Sequence, residues 1–417
     1  MDVVVYRSEL EGEVTPPPSK SYTHRAFFAS SLSHHSFVTN PLISDDTIST
    51  LRCCCKIGSF FRRNRNSIEF FGCDEISGGY FYTANSGTTT RFLIGILSLS
   101  RYKSIVDGDS SVRRRPNYEL VIALKKMGAD IRGWGMYEVP VHIRGIVKGG
   151  EVEIECRSSQ FISSLLFTLP LARYDSCLRV LNMRSKPYIE VTLDVLERSG
   201  IEVEWYGNEF YIRGEQEYGL KRFYVPSDFT SISYLIAAGI LAGKVEIRNA
   251  FESKQGDRRI VDIVRDMGGD VRWYRERGVI VARKSELNGV EIDAKDIPDL
   301  VPTISILASV ANGKTVIRNV ESLRFKEIDR IDGIYRNLKS LGVEVKIGSN
   351  EIEISGREYI RGGTVESFGD HRMALAFSLL GLVSDRGVRV RNAEVVSISY
   401  PNYFDVLRYI GAKVKML

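Results

Sequence analysis

The sequence predicts an α/β fold in two domains, assembled from six copies of one helix-and-strand unit. Three observations carry this. The chain has 417 residues, more than one hydrophobic core ordinarily organises. A glycine returns at near-constant spacing: Gly58, Gly128, Gly200, Gly268, Gly342 and Gly411 stand 70, 72, 68, 74 and 69 residues apart. About 40 residues before each of them, a polar turn leads into an apolar helix rich in small residues.

The glycine element comes first in the argument because internal repeats decide a fold. Its copies are LRCCCKIGSFF, ALKKMGADIRGW, VLERSGIEVEW, IVRDMGGDVRW, NLKSLGVEVKI and VLRYIGAKVKM. Glycine accepts the left-handed conformation that ends a helix, and the alternation after it, as in IEVEW, reads as a strand.

The second element reads PSKSYTHRAFFASSL, NSGTTTRFLIGILSL, SSQFISSLLFTLPLA, SDFTSISYLIAAGIL, PDLVPTISILASVA and GDHRMALAFSLLGL. Helices apolar nearly all round are expected to be buried. Their polar residues gather at the start, where backbone N–H groups lack partners. The unit therefore reads helix, strand, strand, helix, strand.

Three copies are expected per domain. The crossings are placed at Pro16-Pro17-Pro18 and at Tyr224-Val225-Pro226-Ser227. This gives one discontinuous domain of residues 1–15 and 227–417 and one of residues 16–226, with the N-terminal strand completing the first. Two crossings suggest a hinge.

At 43% hydrophobic and 26% charged residues, the composition is that of a globular protein. No apolar run reaches the roughly 20 residues that span a bilayer. The N-terminus MDVVVYRSELEGEV carries acidic residues and no long apolar stretch, which argues against a signal peptide and for the cytoplasm. Net charge is +5 (57 Lys+Arg against 52 Asp+Glu), far from the basic balance of a dedicated nucleic-acid binder. The six cysteines show no CxxC pair and no histidine at metal-ligand spacing. All six read as small apolar residues of a reducing compartment rather than metal ligands or disulfide partners.

A buried helix that starts with Ser, Thr, Asn, Asp or Gly turns free N–H donors and about half a positive charge toward its N-terminal end. Lys20, Arg25, Arg91 and Arg372 lie in or near such starts. Arg113, Arg114 and Arg115 form a further cluster, and Lys326 and Arg330 another. Guanidinium forks suit carboxylate and phosphate. In any one copy, helix capping alone accounts for the polar residues.

Taken singly, each motif keeps both readings. Lys20, Ser21 and Arg25 read as a capped helix or an anion site. Asn85, Gly87 and Thr88 lack P-loop spacing but leave a backbone cradle open. The run Arg113-Arg114-Arg115 reads as a solvated loop or an anion cluster. Ser158, Ser159 and Gln160 are caps or phosphate ligands. Asp299 is a cap or a base. Lys326, Glu327 and Arg330 form a solvated start or a site, and Asp370, His371 and Arg372 open the last buried helix.

Taken together, SKSYTHR, NSGTTTR, RRRP, SSQF, SKPYIEVTL, FKEIDR and GDHRMAL occur in order over nearly the whole chain. This series resembles the motifs of the 5-enolpyruvylshikimate-3-phosphate synthase family. GDHRMA and KExDR together are highly specific, and NSGT and SSQ add weight.

The resemblance implies a two-domain inside-out α/β barrel of six βαβαββ repeats, three per domain, with the active site in a cleft. It implies enolpyruvyl transfer from phosphoenolpyruvate to the 5-hydroxyl of shikimate 3-phosphate, in a monomer, by charge and orientation with no metal or organic cofactor required. Lys20, Ser21, Arg25, Ser158, Ser159, Gln160, Ser185, Tyr188, Asp299 and Lys326 would meet shikimate 3-phosphate. Lys20, Asn85, Gly87, Thr88, Arg115, Gln160, Arg330 and Arg372 would meet phosphoenolpyruvate. Asp299, Glu327 and Lys20 would handle protons, with Asp370 and His371 in support.

The chain departs from that family's pattern at four places. Ser111 stands where Arg is frequent, and Arg113 or Arg114 is expected to compensate. Ile398 stands where Lys is frequent, Phe92 where Pro is, and Ser322 where Asn is. These changes bear on phosphoenolpyruvate affinity and on inhibitors such as glyphosate more than on the reaction.

Two rival readings remain. A UDP-N-acetylglucosamine enolpyruvyl transferase usually carries a Cys in the loop matching IVDGDSSVRRRP, which has none. An RNA-binding or RNA 3′-phosphate cyclase-like protein would interleave aromatic and basic residues, a pattern absent here.

Overall fold

A computed structural model describes every residue from Met1 to Leu417. The chain divides into two compact units. One comprises Met1–Pro17 with Pro226–Leu417, the other Pro18–Val225.

Each repeat carries two helices. The unit of residues 18–225 holds α1 (Lys20–Leu32), α2 (Asp45–Lys56), α3 (Gly87–Leu97), α4 (Tyr118–Lys126), α5 (Ser159–Thr168) and α6 (Lys186–Arg198). The other holds α7 (Phe229–Ala242), α8 (Ile260–Asp266), α9 (Val301–Ala308), α10 (Arg330–Ser340), α11 (His371–Ser378) and α12 (Tyr403–Tyr409). The even-numbered helices end at Gly58, Gly128, Gly200, Gly268, Gly342 and Gly411, whose φ angles run from +78° to +116°. A side chain is strained there, so the glycine period marks the helix ends.

The order read from residues alone has one strand too few. A short strand precedes each odd-numbered helix, such as Gly79–Tyr82 or Gly363–Glu366. Three to six residues leave little room for an alternating pattern, which hides these strands in the sequence.

The strands form six four-stranded sheets, three in each unit. The second repeat shows the plan. Gly79–Tyr82 pairs parallel with Ser104–Asp107 across α3, Ser104–Asp107 antiparallel with Glu138–Arg144, and that strand with Asp130–Trp134. Where the chain passes between units, two first strands trade places. Leu10–Val14, just before α1, pairs with Gly243–Ile247 after α7. Arg222–Tyr224, just before α7, pairs with His35–Thr39 after α1. At the chain's start, Val3–Tyr6 lies antiparallel between Val388–Arg391 and Lys413–Met416.

The odd-numbered helices fill the centre of each unit. Every residue of α7 and of α9 is buried, so these helices need no polar face. Small residues permit close packing: a Cβ added at Gly95 in α3 would lie 2.3 Å from Thr168 Oγ1 and 2.5 Å from Ser164 Oγ, both in α5. Hydroxyls within these helices bond back to their own backbone, as when Thr90 donates to the Ser86 carbonyl (2.9 Å) and Thr168 to that of Ser164 (2.8 Å). The sheets face outward, with Trp134 85% exposed. Helices inside and sheets outside make the barrel inside-out.

The cysteines do not behave alike. Cys53, Cys54 and Cys156 are buried, Cys73 and Cys177 half-buried, and Cys55 exposed. Successive residues on a helix point to different faces, so the run Cys53-Cys54-Cys55 cannot enter the core whole.

Candidate active site

In the unit of residues 18–225, the site residues collect at the starts of α1, α3, α5 and α6. Ser19, Ser86 and Ser158 are the N-caps of α1, α3 and α5, each accepting a backbone N–H. Ser158 is therefore a cap in this structure. Ser159 and Gln160 open the helix behind it.

Lys20 is the first residue of α1, and its Nζ lies 3.0 Å from Asp46 Oδ2 on α2. Asp46 was not singled out from the sequence. One turn further, Arg25 is 3% exposed. Its Nε donates to Thr192 Oγ1 (2.8 Å), Nη1 to the Ser21 carbonyl (2.9 Å), and Nη2 to Ser163 Oγ (3.1 Å) and the Tyr188 carbonyl (3.2 Å). Thus Ser21 and Tyr188 meet Arg25 through their backbones. All four acceptors are neutral, and burial pushes the guanidinium's pKa down to about 10. A buried cation paired only with dipoles retains an unmet demand for an anion.

Phe92, at a departure from the family pattern, is fully buried in α3. The Arg25 guanidinium lies over its ring, 5.4 Å from the centroid, and the ring also packs on Phe28 and Phe167.

The start of α3 gathers the next group. A Cβ added at Gly87 would lie 2.4 Å from Arg91 Nη1, 2.7 Å from Arg115 Nη1 and 3.6 Å from Gln160 Oε1. The absence of a side chain at Gly87 leaves that space to the two guanidinium groups, which a Cβ would displace. Gln160 Nε2 also donates to Thr88 Oγ1 (3.1 Å). Arg91 and Arg115 are both buried, and two cations beside a helix N-terminus form an anion-attracting corner. Arg91 was noted only as one of several basic residues at helix starts. The signal was its i+4 spacing from Gly87. Asn85 precedes the cap, half-buried.

The arginine run is split by its surroundings. Arg113 forks onto Asp107 through Nε (2.9 Å) and Nη2 (2.6 Å), holding the Asp107 carboxyl below its usual range. Arg114 is exposed. Arg115 Nη2 donates to Ser111 Oγ (2.7 Å). Of the two residues expected to compensate for Ser111, Arg113 is engaged by Asp107 and Arg114 is exposed. Ser185 holds a left-handed φ of 51° at the α6 N-cap position, a strained geometry for a non-glycine residue.

In the other unit, Asp299, Lys326, Glu327, Arg330, Asp370, His371 and Arg372 come together at the starts of α9, α10 and α11. Arg330 is 1% exposed. Its Nε donates to Asp370 Oδ2 (2.7 Å), Nη1 to Asp299 Oδ1 (2.8 Å) and Nη2 to Glu327 Oε2 (2.6 Å). These charges raise its pKa despite burial. Asp299 also receives Arg372 Nη2 at Oδ2 (2.7 Å) and Lys326 Nζ at Oδ1 (3.3 Å). The cluster balances three cations against three anions. Asp370 in addition caps α11, accepting the Arg372 N–H (2.8 Å). His371 is fully buried. Ile398, where the family pattern has a cation, is buried at 6% exposure at the end of the turn Ala393–Ile398.

One acidic group here escaped sequence reading. Asp257, on the turn Gly256–Arg259, is 3% exposed and accepts the Thr230 hydroxyl. Burial, then the charge of Asp299, pushes its pKa up to about 7. Nothing in QGDRR sets this acid apart from a surface residue.

The model of the family described as EPSP synthase (3-phosphoshikimate 1-carboxyvinyltransferase) matches residues 4–407. The chain belongs to the EPSP synthase family. It is 58% identical over 415 residues to a 3-phosphoshikimate 1-carboxyvinyltransferase of Archaeoglobus fulgidus, covering 99% of each chain. It is 39% identical over 421 residues to the enzyme of that name from Methanocella arvoryzae, again covering 99% of each. Among solved structures, an EPSP synthase from Acinetobacter baumannii superposes with TM-score 0.84 at 25% identity, over 100% of both chains. The enolpyruvyl transferase NikO from Streptomyces tendae shares the fold at 15% identity, with TM-score 0.81 over 99% and 98% of the two chains. EPSP synthase membership and the barrel architecture agree with the motif series read from the sequence.

Proposed function

We propose that this protein transfers the enolpyruvyl group of phosphoenolpyruvate to the 5-hydroxyl of shikimate 3-phosphate, releasing phosphate. The observation that carries the reading is the EPSP synthase motif series with its cations brought to helix starts: Arg25 beside Ser163 and Thr192, Arg91 and Arg115 on Gly87, and Arg372 on Asp299. Two strongly anionic substrates repel each other, and fixed cations with helix N-termini offset that repulsion.

Arg25, Ser158, Ser159, Ser185, Gln160, Tyr188 and Ser21 take shikimate 3-phosphate, with Lys20 and Lys326. Asn85, Gly87, Thr88 and Arg115 take the phosphate of phosphoenolpyruvate, and Arg91 joins them. Arg372 and Arg330 take its carboxylate. All three nitrogens of Arg330 already engage carboxylates, so its share of that contact requires exchange of one such bond. Lys20 likewise must exchange its contact with Asp46 to reach a substrate.

The reaction is addition then elimination. Asp299 removes the 5-hydroxyl proton as the oxygen bonds to C2 of phosphoenolpyruvate, and Glu327 or Lys20 delivers a proton to C3. The tetrahedral intermediate then loses phosphate from C2 and a proton from C3, leaving the enol ether. These residues work by charge and position.

Purified protein with both substrates is expected to release phosphate in proportion to shikimate 3-phosphate consumed, and to release none when either substrate is omitted. Turnover of UDP-N-acetylglucosamine with none of shikimate 3-phosphate would overturn the reading.

A further inference from the structure

Inside the unit of residues 18–225, a chain of buried polar groups runs across three helices. It starts at His24 of α1. His24 Nδ1 lies 2.7 Å from Thr50 Oγ1 on α2, and Thr50 Oγ1 lies 2.7 Å from Thr89 Oγ1 on α3. Thr89 Oγ1 lies 2.7 Å from Ser86 Oγ, and Ser86 Oγ accepts the Thr89 N–H (3.3 Å) as the α3 N-cap. All four residues are at most 1% exposed.

The chain is tied at its near end to Lys20. Lys20 and His24 sit one turn apart on α1, and Asp46 and Thr50 one turn apart on α2. The same pair of faces therefore carries both the Lys20–Asp46 ion pair (3.0 Å) and the His24–Thr50 bond. At its far end the chain meets the turn that carries Asn85, Gly87 and Thr88. A hydroxyl donates one bond and accepts others, so each link fixes the sense of the next. The ring stays neutral, because burial and the charges of Lys20 and Arg25 hold its pKa well below the usual histidine range.

We propose that His24, Thr50 and Thr89 are positioning residues whose hydrogen-bonded chain holds the N-terminus of α3 in register with Lys20. The inference rests on the proposed function, in which Lys20 and the α3 start meet the same phosphoenolpyruvate. Side chains joined by buried hydrogen bonds specify geometry that apolar packing leaves looser. Placement errors of about 1 Å at a reacting centre cost rates steeply.

The test is Thr50→Val, which keeps shape and removes the hydroxyl, against Thr50→Ser, which keeps the hydroxyl. Thr50→Val is expected to raise KM for phosphoenolpyruvate about tenfold, the effect of losing one buried hydrogen bond. KM for shikimate 3-phosphate stays within about twofold, and Thr50→Ser returns the wild-type value. A Thr50→Val enzyme whose KM for phosphoenolpyruvate is unchanged overturns the proposal, whatever its melting temperature. Should Thr50→Val not fold, His24→Leu and His24→Asn give the same reading. Asn places a hydrogen-bonding atom near the Nδ1 position, so His24→Leu alone should raise that KM. Equal KM values in the two His24 variants overturn the proposal. Absence of turnover in the wild-type enzyme would instead defeat the proposed function, so the two failures are separable.

Discussion

Asp299 Oδ1 and Arg330 Nη1 meet at 2.8 Å, where α10 begins beside the turn that carries Asp299. The pair is the centre of a larger arrangement. Arg330 also holds Glu327 and Asp370, while Asp299 also receives Arg372 and Lys326. Removing any member leaves its neighbours with unbalanced charge in a buried setting.

Arg330→Met should therefore destabilise the protein by about 3–5 kcal/mol, the cost of breaking a buried ion network from one side. Urea denaturation of variant and wild type measures it. A loss under about 1 kcal/mol would show the network to be energetically slack.

Asp299→Asn keeps the shape of the side chain and removes the carboxylate proposed as the base. Turnover is expected to fall by roughly 10²- to 10⁴-fold, and the urea midpoint to fall as well, because Arg330, Arg372 and Lys326 lose their shared negative charge. Steady-state phosphate release, read beside denaturation, separates loss of chemistry from loss of fold.

Arg25 lacks an anionic partner, and shikimate 3-phosphate should supply one. At about 100 times its Kd the ligand is expected to stabilise the wild type by about 2.7 kcal/mol. Arg25→Gln should lose most of that stabilisation at the same ligand concentration. Thermal melts with and without shikimate 3-phosphate decide it.

Phe92→Ala should cost about 3–5 kcal/mol, as for a large core aromatic, and should raise KM for shikimate 3-phosphate because the ring under Arg25 is gone. Denaturation and steady-state kinetics on one preparation test both halves. A stability loss with unchanged KM would confine Phe92 to the core.

Asp257 sets a pH dependence. Its folded pKa of about 7 lies above its ordinary carboxyl value. Between the two, the folded state binds a proton that the unfolded state releases, so stability falls as pH rises from about 4 to about 7, by up to about 1.4 kcal/mol per pH unit for this one group. Asp257→Asn should flatten that decline. Urea midpoints at pH 5 and pH 8 in both proteins provide the check; parallel pH trends would remove Asp257 as the source.

The sequence alone determined what is local. Glycines that end helices, serines and aspartates that start them, and apolar stretches that must be buried all act within about one helical turn of themselves. That made the sixfold period, the buried helices and the motif residues legible. The short strands before the odd-numbered helices stayed hidden because too few residues carry their pattern. Partner choice was settled by tertiary structure. Arg25 finds Ser163 and Thr192, 138 and 167 positions away, and Arg330 finds Asp370 forty positions on. Arg113 and Arg115 are chemically alike, yet one forks onto Asp107 while the other stands at Gly87. A guanidinium bonds whatever acceptor the fold brings within about 3 Å, and that distance is set by packing between repeats, which no local pattern encodes.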